Sequence, residues 1–335
     1  MSSKKVMLAL FIFVIAFSSG VAVTTPERCY AAKKRITLGG GSPGAIYYLF
    51  SAAVARLINK HFPDEFIAKS VSVGGSAQNA ILLSKKDQEF APVANDVAYH
   101  AYNGKQEFTG KACPNLRSVT GGYSYAMNLI VLDGSPIRSY RDIVGRKVAT
   151  GPAGGSYYTH VERIMSLGYG VDINKQIKQV HGNYNAQCDF LKDGTVDAIF
   201  NPSGIIPETR GGGTYNLAVL RKVRFISIDE DAIKKIRAKF PYFVPAVIEP
   251  GFFPNQNKRY RLLAVPAIVC SHKDVSADVV YKITKLMYEN KSELAEILPA
   301  AKDFVDPSKI KSLSIPLHPG ALKYYREKGI ETPKF

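Results

Sequence analysis

The chain has 335 residues, 46% of them hydrophobic and 21% charged, with 27 Gly, 19 Pro, no Trp and a net charge of +16. At about 100–200 residues per domain this is a two-domain length with ample material for cores, and the composition excludes a disordered, collagen-like or disulfide-dense chain. The positive excess fits nucleic acid, an anionic surface or an anionic small molecule, and composition does not choose between them.

In chain order, Lys4 and Lys5 precede an apolar run from Val6 to Phe17, followed by Ser18, Ser19 and Gly20. Basic, then apolar, then small residues read as a secretory signal peptide over residues 1–32, with cleavage after Ala22, Ala31 or Ala32. The apolar run falls short of the roughly 20 residues a transmembrane helix needs; an uncleaved anchor is the alternative. Removing Lys4, Lys5 and Arg28 together with Glu27 leaves a mature charge of +14. Export to the periplasm argues against a nucleic-acid partner, and no basic run interleaved with aromatics opposes that.

After the leader, strands and helices alternate. Ile36–Leu38 reads as a strand running into Gly39–Gly44, with Ser42 as N-cap and Pro43 in the first position of a helix whose apolar face is Ile46, Leu49, Phe50, Ala53, Val54, Leu57 and Ile58. Ile67–Val73 reads as a strand, 77–85 as a helix, Phe90–Ala94 as a strand and the stretch from Asn95 to Tyr102 as a helix. Leu116–Thr120 and Met127–Leu132 read as two extended pieces broken at Gly121-Gly122-Tyr123. The pattern then restarts: strand 146–150, loop Gly151–Ser156, helix 157–167, strand 177–181, helix 186–192, strands 196–200, 223–228 and 262–270, and a long final helix through Val280 and Ile283 capped by Ser276. Alternating units imply mostly parallel sheets covered by helices, and the restart near residue 145 implies two lobes.

Several chemistries are refused on physical grounds. Gly39-x-Gly41-x-x-Gly44 fits the dinucleotide fingerprint, but the next strand ends at Val73 without the acid that would hold a ribose. Gly40-Gly-Ser42-Pro-Gly44 fits a nucleophile elbow, but Pro43 has no N–H for the oxyanion hole. Asp193 and Asp197 flank a turn, and turn capping is their plain role. The four cysteines have no C-x-x-C spacing and the six histidines fall singly, so no metal site is expected. What remains is three loops, Gly39–Gly44, Gly74–Ser76 and Gly151–Ser156, each opening a helix with Gly and Ser. Helix N-termini offer unpaired N–H groups and partial positive charge, which suits carboxylate or phosphate; ordinary βα turns are the plainer reading.

Several separated segments, in order, resemble the TAXI-type receptors of tripartite ATP-independent periplasmic (TRAP) transporters. They are 38–48 (LGGGSPGAIYY), 73–79 (VGGSAQN), 95–99 (NDVAY) with 102–104, 193–198 (DGTVDA) and 315–327 (IPLHPGALKYYRE). The resemblance implies an α/β type II periplasmic-binding-protein fold whose two α/β lobes hold a ligand in the cleft between them. Lobe one would be 33–124 with 266–335 and lobe two 125–265, with crossings near 123–128 and 263–267. The implied activity is non-enzymatic: a periplasmic, monomeric receptor without cofactor or metal, binding a small anionic carboxylate such as glutamate and delivering it to a TRAP permease. The alternatives are a receptor for an ABC importer or sensor, and a secreted hydrolase.

The site this implies comprises the loop glycines Gly41, Gly44, Gly75 and Gly155. Ser42, Ser76, Asn79 and Ser156 would be side-chain donors, with lobe one supplying most contacts. Asn95, Asp96 and Asn201 would lie in the cleft, and Tyr47, Tyr99 and Tyr157 would line it. At 153–157 the chain reads AGGSY where the family has Pro-Gly-Ser-Gly-Thr, so Tyr157 would narrow the lobe-two side.

Overall fold

A computed structural model describes residues 32–41, 43, 46–151, 156–210 and 212–335. The leader, Ser42, Gly44 and Gly155 therefore lie outside the described residues, as does the Ser156 side chain. Among the described residues no helix is long and apolar enough to cross a membrane.

The first half of the fold is built from β1 (Lys34–Gly39), α1 (Ile46–His61), β2 (Phe66–Val71), α2 (Ser76–Ser84), β3 (Phe90–Ala94) and α3 (Asn95–Asn103). Its strands are parallel, with β1 between β2 and β3. Ile36 and Leu38 alternate inward on β1, and the stripe from Phe50 to Ile58 buries α1 against them. The long β4 (Leu116–Leu132) then leads into the second half.

That half contains β5 (Lys147–Ala149), α4 (Ser156–Arg163), α5 (Ile173–Gln176), β6 (Lys178–Val180), α6 (Tyr184–Lys192) and β7 (Ala198–Gly204). It continues with α7 (Gly212–Leu220), β8 (Val223–Ile226), α8 (Glu230–Lys239) and β9 (Val244–Ile248), and β10 (Tyr260–His272) carries the chain back. The tail is α9 (Ala277–Glu289), α10 (Lys291–Ile297), α11 (Ala301–Phe304) and α12 (Pro319–Glu327), with α9 against α12 and α1.

The two halves share one sheet in the order β2-β1-β3-β10-β4-β7-β5-β6, with β8 also on β4 and β9 also on β10. Only the outer strands are parallel. The antiparallel pair β4 and β10 runs between the halves, Ala126 opposite Ala264, Tyr125 opposite Val265 and Ser124 opposite Pro266. The sheet is thus mixed where the alternation predicts mostly parallel strands, because the two returning strands pair with each other.

Three further expectations are corrected. β4 is unbroken through Gly121 and Gly122. Both glycines stay in the strand because the tail lies on them: a Cβ on Gly121 would come 2.7 Å from the Lys309 carbonyl oxygen, and one on Gly122 would collide with the Phe304 main chain. Pro43 is in a turn and α1 starts at Ile46, so Pro43 does not open the helix. The helix through Val280 is followed by three more, which short segments and weak periodicity conceal.

Candidate functional site

The first-half turns are tied down by side chains. Asn79, fully buried on α2, donates from Nδ2 to the Gly40 carbonyl at 2.8 Å and the Pro92 carbonyl at 3.0 Å, while its Oδ1 accepts from Gln88 Nε2 at 3.1 Å. It joins the exit of β1 to β3, so its amide serves the scaffold. Gly41 accepts from Val73 N at 3.3 Å and from Ser72 Oγ at 3.2 Å. Gly75 precedes α2 at φ +109°, a conformation that favours glycine. Ser76 Oγ accepts from Ala94 N at 3.0 Å and lies close enough to the Tyr47 hydroxyl to influence it.

Asn95 is likewise structural. Its Nδ2 donates to the Ser312 carbonyl at 2.8 Å and its Oδ1 accepts from Ser314 N and Oγ, pinning the tail to the end of β3. Asn201, on β7, donates from Nδ2 to the Tyr184 carbonyl at 2.7 Å and accepts from Thr214 Oγ1 at 3.1 Å, joining α6 to α7. Tyr99 turns to Lys105, whose Nζ donates to its hydroxyl at 3.1 Å and sits 5.0 Å from the ring centre. These three residues are brought into the fold's own polar contacts, each in a different place. Asp197 accepts from Lys147 N at 2.8 Å, so its side chain ties the approach to β7 to the start of β5 rather than capping its own turn.

A second set does converge. Tyr125 on β4 is the common neighbour: Tyr47 from α1, Tyr123 from β4 and Tyr184 from α6 each lie within its electrostatic reach, and Tyr157 from α4 meets Tyr184 edge-on at 5.5 Å. The set thus draws on both halves and on the crossing strand. Tyr123 and Tyr125 are two residues apart on one strand and share a face, their centroids 6.5 Å apart. Burial raises the phenol pKa of all five, that of Tyr184 to about 12. At neutral pH all five therefore keep their protons, and a protonated hydroxyl can donate to an anion.

Two donors beside this set, both on the second half, are unmatched among the described residues. Gln187, fully buried on α6, accepts from Gly151 N at 3.1 Å, and its Nε2 has no partner among the described residues. The Tyr157 hydroxyl is buried without a hydrogen-bond partner there; the Asn128 main chain influences it but not in hydrogen-bonding geometry. Buried donors of this kind are rare in finished folds.

Asp96 lies beside this set. Burial alone would push its carboxyl up, but the facing charges of His160 and Arg163 outweigh that and hold it below the usual range. An ionised carboxylate only accepts, so His160 Nε2 donates to Oδ2, at 2.5 Å, and Arg163 lies 3.4 Å from the same oxygen. His160, Arg163, Tyr123, Tyr125, Tyr184 and Gln187 were not among the residues expected from sequence. The signals for some of them existed: the alternation in Gly122-Tyr-Ser-Tyr125 and the i, i+3 spacing of His160 and Arg163 each put two side chains on one face.

Among the described residues no cluster of His, Cys, Asp and Glu could hold a metal, and Cys113, Cys188 and Cys270 are free and buried. A groove of about 370 Å³ between α6 and α7, lined by Asn185, Cys188, Lys192 and Leu217, has no tyrosine in its wall, although Cys188 lies within electrostatic reach of Tyr157.

The architecture matches solved two-lobe proteins. XAC2383 from Xanthomonas citri bound to ATP superposes with a TM-score of 0.55 at 10% identity, over 89% of this chain and 99% of that one. The same protein bound to chloride ion gives 0.51 at 10% identity, over 88% and 99%. The periplasmic aliphatic sulphonate binding protein SsuA from Escherichia coli gives 0.45 at 14% identity, over 90% of each chain. At these identities the likeness is one of fold. In sequence, residues 38–329 match the NMT1-like family, from β1 to just beyond α12, and the chain belongs to that family.

Proposed function

We propose that the chain is an exported solute receptor that closes its two lobes on a small carboxylate, such as glutamate, and hands it to a membrane permease. The observation that carries this is the convergence of neutral hydroxyl donors from both halves onto the crossing strand, with buried unmatched donors at Tyr157 and Gln187 on the second half. A carboxylate accepts several such bonds, and neutral donors hold an anion without the desolvation cost of a buried cation. The reading takes lobe one as 33–124 with 266–335 and lobe two as 125–265, and the paired crossings β4 and β10 support that division. The basic, apolar and small leader supports a periplasmic location, and the motifs from 38–48 to 315–327 support a TRAP-type permease as partner.

Mass spectrometry of the protein isolated from its native compartment tests the reading, followed by thermal-shift screening of what is released. One small acid should be retained unchanged, and at 100 times its Kd it should add about 2.7 kcal/mol of stability. Conversion of that acid would make the chain an enzyme, and preference for a cation or neutral sugar would refute the anion. Uptake in vesicles distinguishes the partner: dependence on an ion gradient supports the TRAP-type permease, and dependence on ATP assigns the receptor to an ABC importer.

A further inference from the structure

We propose that Asp96, His160 and Arg163 form a latch between the two halves of the sheet, made when the halves close and lost when they part. Asp96 stands in the first turn of α3, beside β3, whereas His160 and Arg163 stand one turn apart on α4, beyond β5. The three side chains come from opposite halves, yet they are 2%, 0% and 7% exposed. Such burial exists only while α3 and α4 abut.

The second-half members have other supports, and Asp96 has none. Arg163 donates to the Tyr242 hydroxyl at 2.9 Å and stacks 5.0 Å over Phe240; His160 has its Nδ1 3.4 Å from the Tyr125 hydroxyl and packs edge-on against Phe243. Among the described residues the Asp96 side chain accepts only from His160 and Arg163, and its Oδ1 is buried without a partner there. His100, the other titratable group on this face of α3, meets Tyr242 edge-on and is kept neutral by burial and by Arg163. Glu107 comes no nearer to it than 3.7 Å. When the halves part, water replaces each lost contact, so the latch is reversible. When they close, geometry admits one register, since a buried carboxylate one helical turn out of place would face no cation.

The latch rests on the receptor reading for its purpose but not for its test, which needs no solute. It gives the protein a closed population before any ligand binds. Small-angle scattering on the full chain, dialysed free of solute from urea and refolded, reads that population. A compact chain of this length has a radius of gyration of about 20 Å. Asp96→Asn and His160→Gln, on opposite sides of the contact, should each increase the wild-type radius, and the double variant should increase it no further than either single one. Should Asp96→Asn fail to regain its native circular dichroism, His160→Gln and Arg163→Met carry the test. An unchanged radius in the folded variants overturns the latch, as does an additive double variant. A retained acid with an unchanged radius would leave the receptor standing and remove the latch; a changed radius without any retained acid would do the reverse.

Discussion

The first-half and second-half turns look alike in sequence, each a run of Gly and Ser between a strand and a helix, but the polar side chains packed beside them are used differently. In the first half Asn79 bridges Gly40 and Pro92, Gln88 backs it, and Ser76 accepts from Ala94. In the second half Gln187 anchors Gly151 with one atom and leaves its Nε2 unmatched, and Tyr157 leaves its hydroxyl unmatched. A side chain that completes a scaffold is read by its loss of stability, and one that holds a free donor by its loss of affinity. The expectation that lobe one supplies most ligand contacts meets this difference directly, because the unmatched donors of the set lie in the other half.

The largest expected effect falls on the first half. Asn79→Leu strips the donors from two buried carbonyls at nearly constant volume, and should cost about 3–5 kcal/mol and lower Tm by roughly 10 °C. Gln187→Leu, which removes one bond to Gly151 and one unmatched donor, should shift Tm far less. Equal losses in the two variants would erase the distinction between scaffold and donor halves.

An acid titration sharpens the same contrast. Burial, with Arg163 second, pulls His100 down from 6.5 to about 4. The unfolded chain therefore takes up the proton first, so stability is complete above about pH 6.5 and falls as the pH drops toward 4. The full effect is about 3 kcal/mol for a group this buried. Chemical denaturation at pH 7.5 and pH 4.5 should show the loss in the wild type and much less of it in His100→Gln. Asp96, held low, contributes only at more acid pH: its share is present above the ordinary carboxylate range and is lost as the pH falls through its lowered value. A wild type equally stable at both pH values would contradict the neutral, buried His100.

The crossing strand is where the sequence misleads and the tertiary contact corrects it. Gly121-Gly122 reads as a break because glycine is poor in strands, and nothing local shows that residues 303–309 will lie on it. Gly122→Ala should cost about 1–3 kcal/mol in Tm measurements, since the contact is main chain and cannot rotate away. A neutral substitution would mean the tail does not seat on β4. The α/β order, the stripe on α1 and the helix after Val73-Gly-Gly-Ser76 were legible because periodicity and caps are local. Asn79 and Asn95 were legible as important but not in their roles: their partners at Gly40 and Ser314 are 39 and 219 residues away. The Asp96–His160 pair was not legible at all, since no spacing rule links a residue on α3 to one on α4.

The smallest effects belong to the cleft itself. Tyr157→Phe should leave Tm within about 0.5 kcal/mol and weaken solute binding by roughly 1 kcal/mol, one hydrogen bond, by calorimetry. Tyr157→Thr, which restores the size usual in the related loop, should admit larger carboxylates. An unchanged affinity and ligand profile in both would remove Tyr157 from the site.

In the proposed receptor the solute sits between the halves, against the crossing strand. A crystal structure of the protein with its co-purified solute would locate it. An acid is expected within hydrogen-bonding distance of the Tyr157 hydroxyl or Gln187 Nε2 on one side and of Tyr47 or Ser76 on the other. A solute seated in the groove between α6 and α7, with the tyrosines untouched, would contradict that placement.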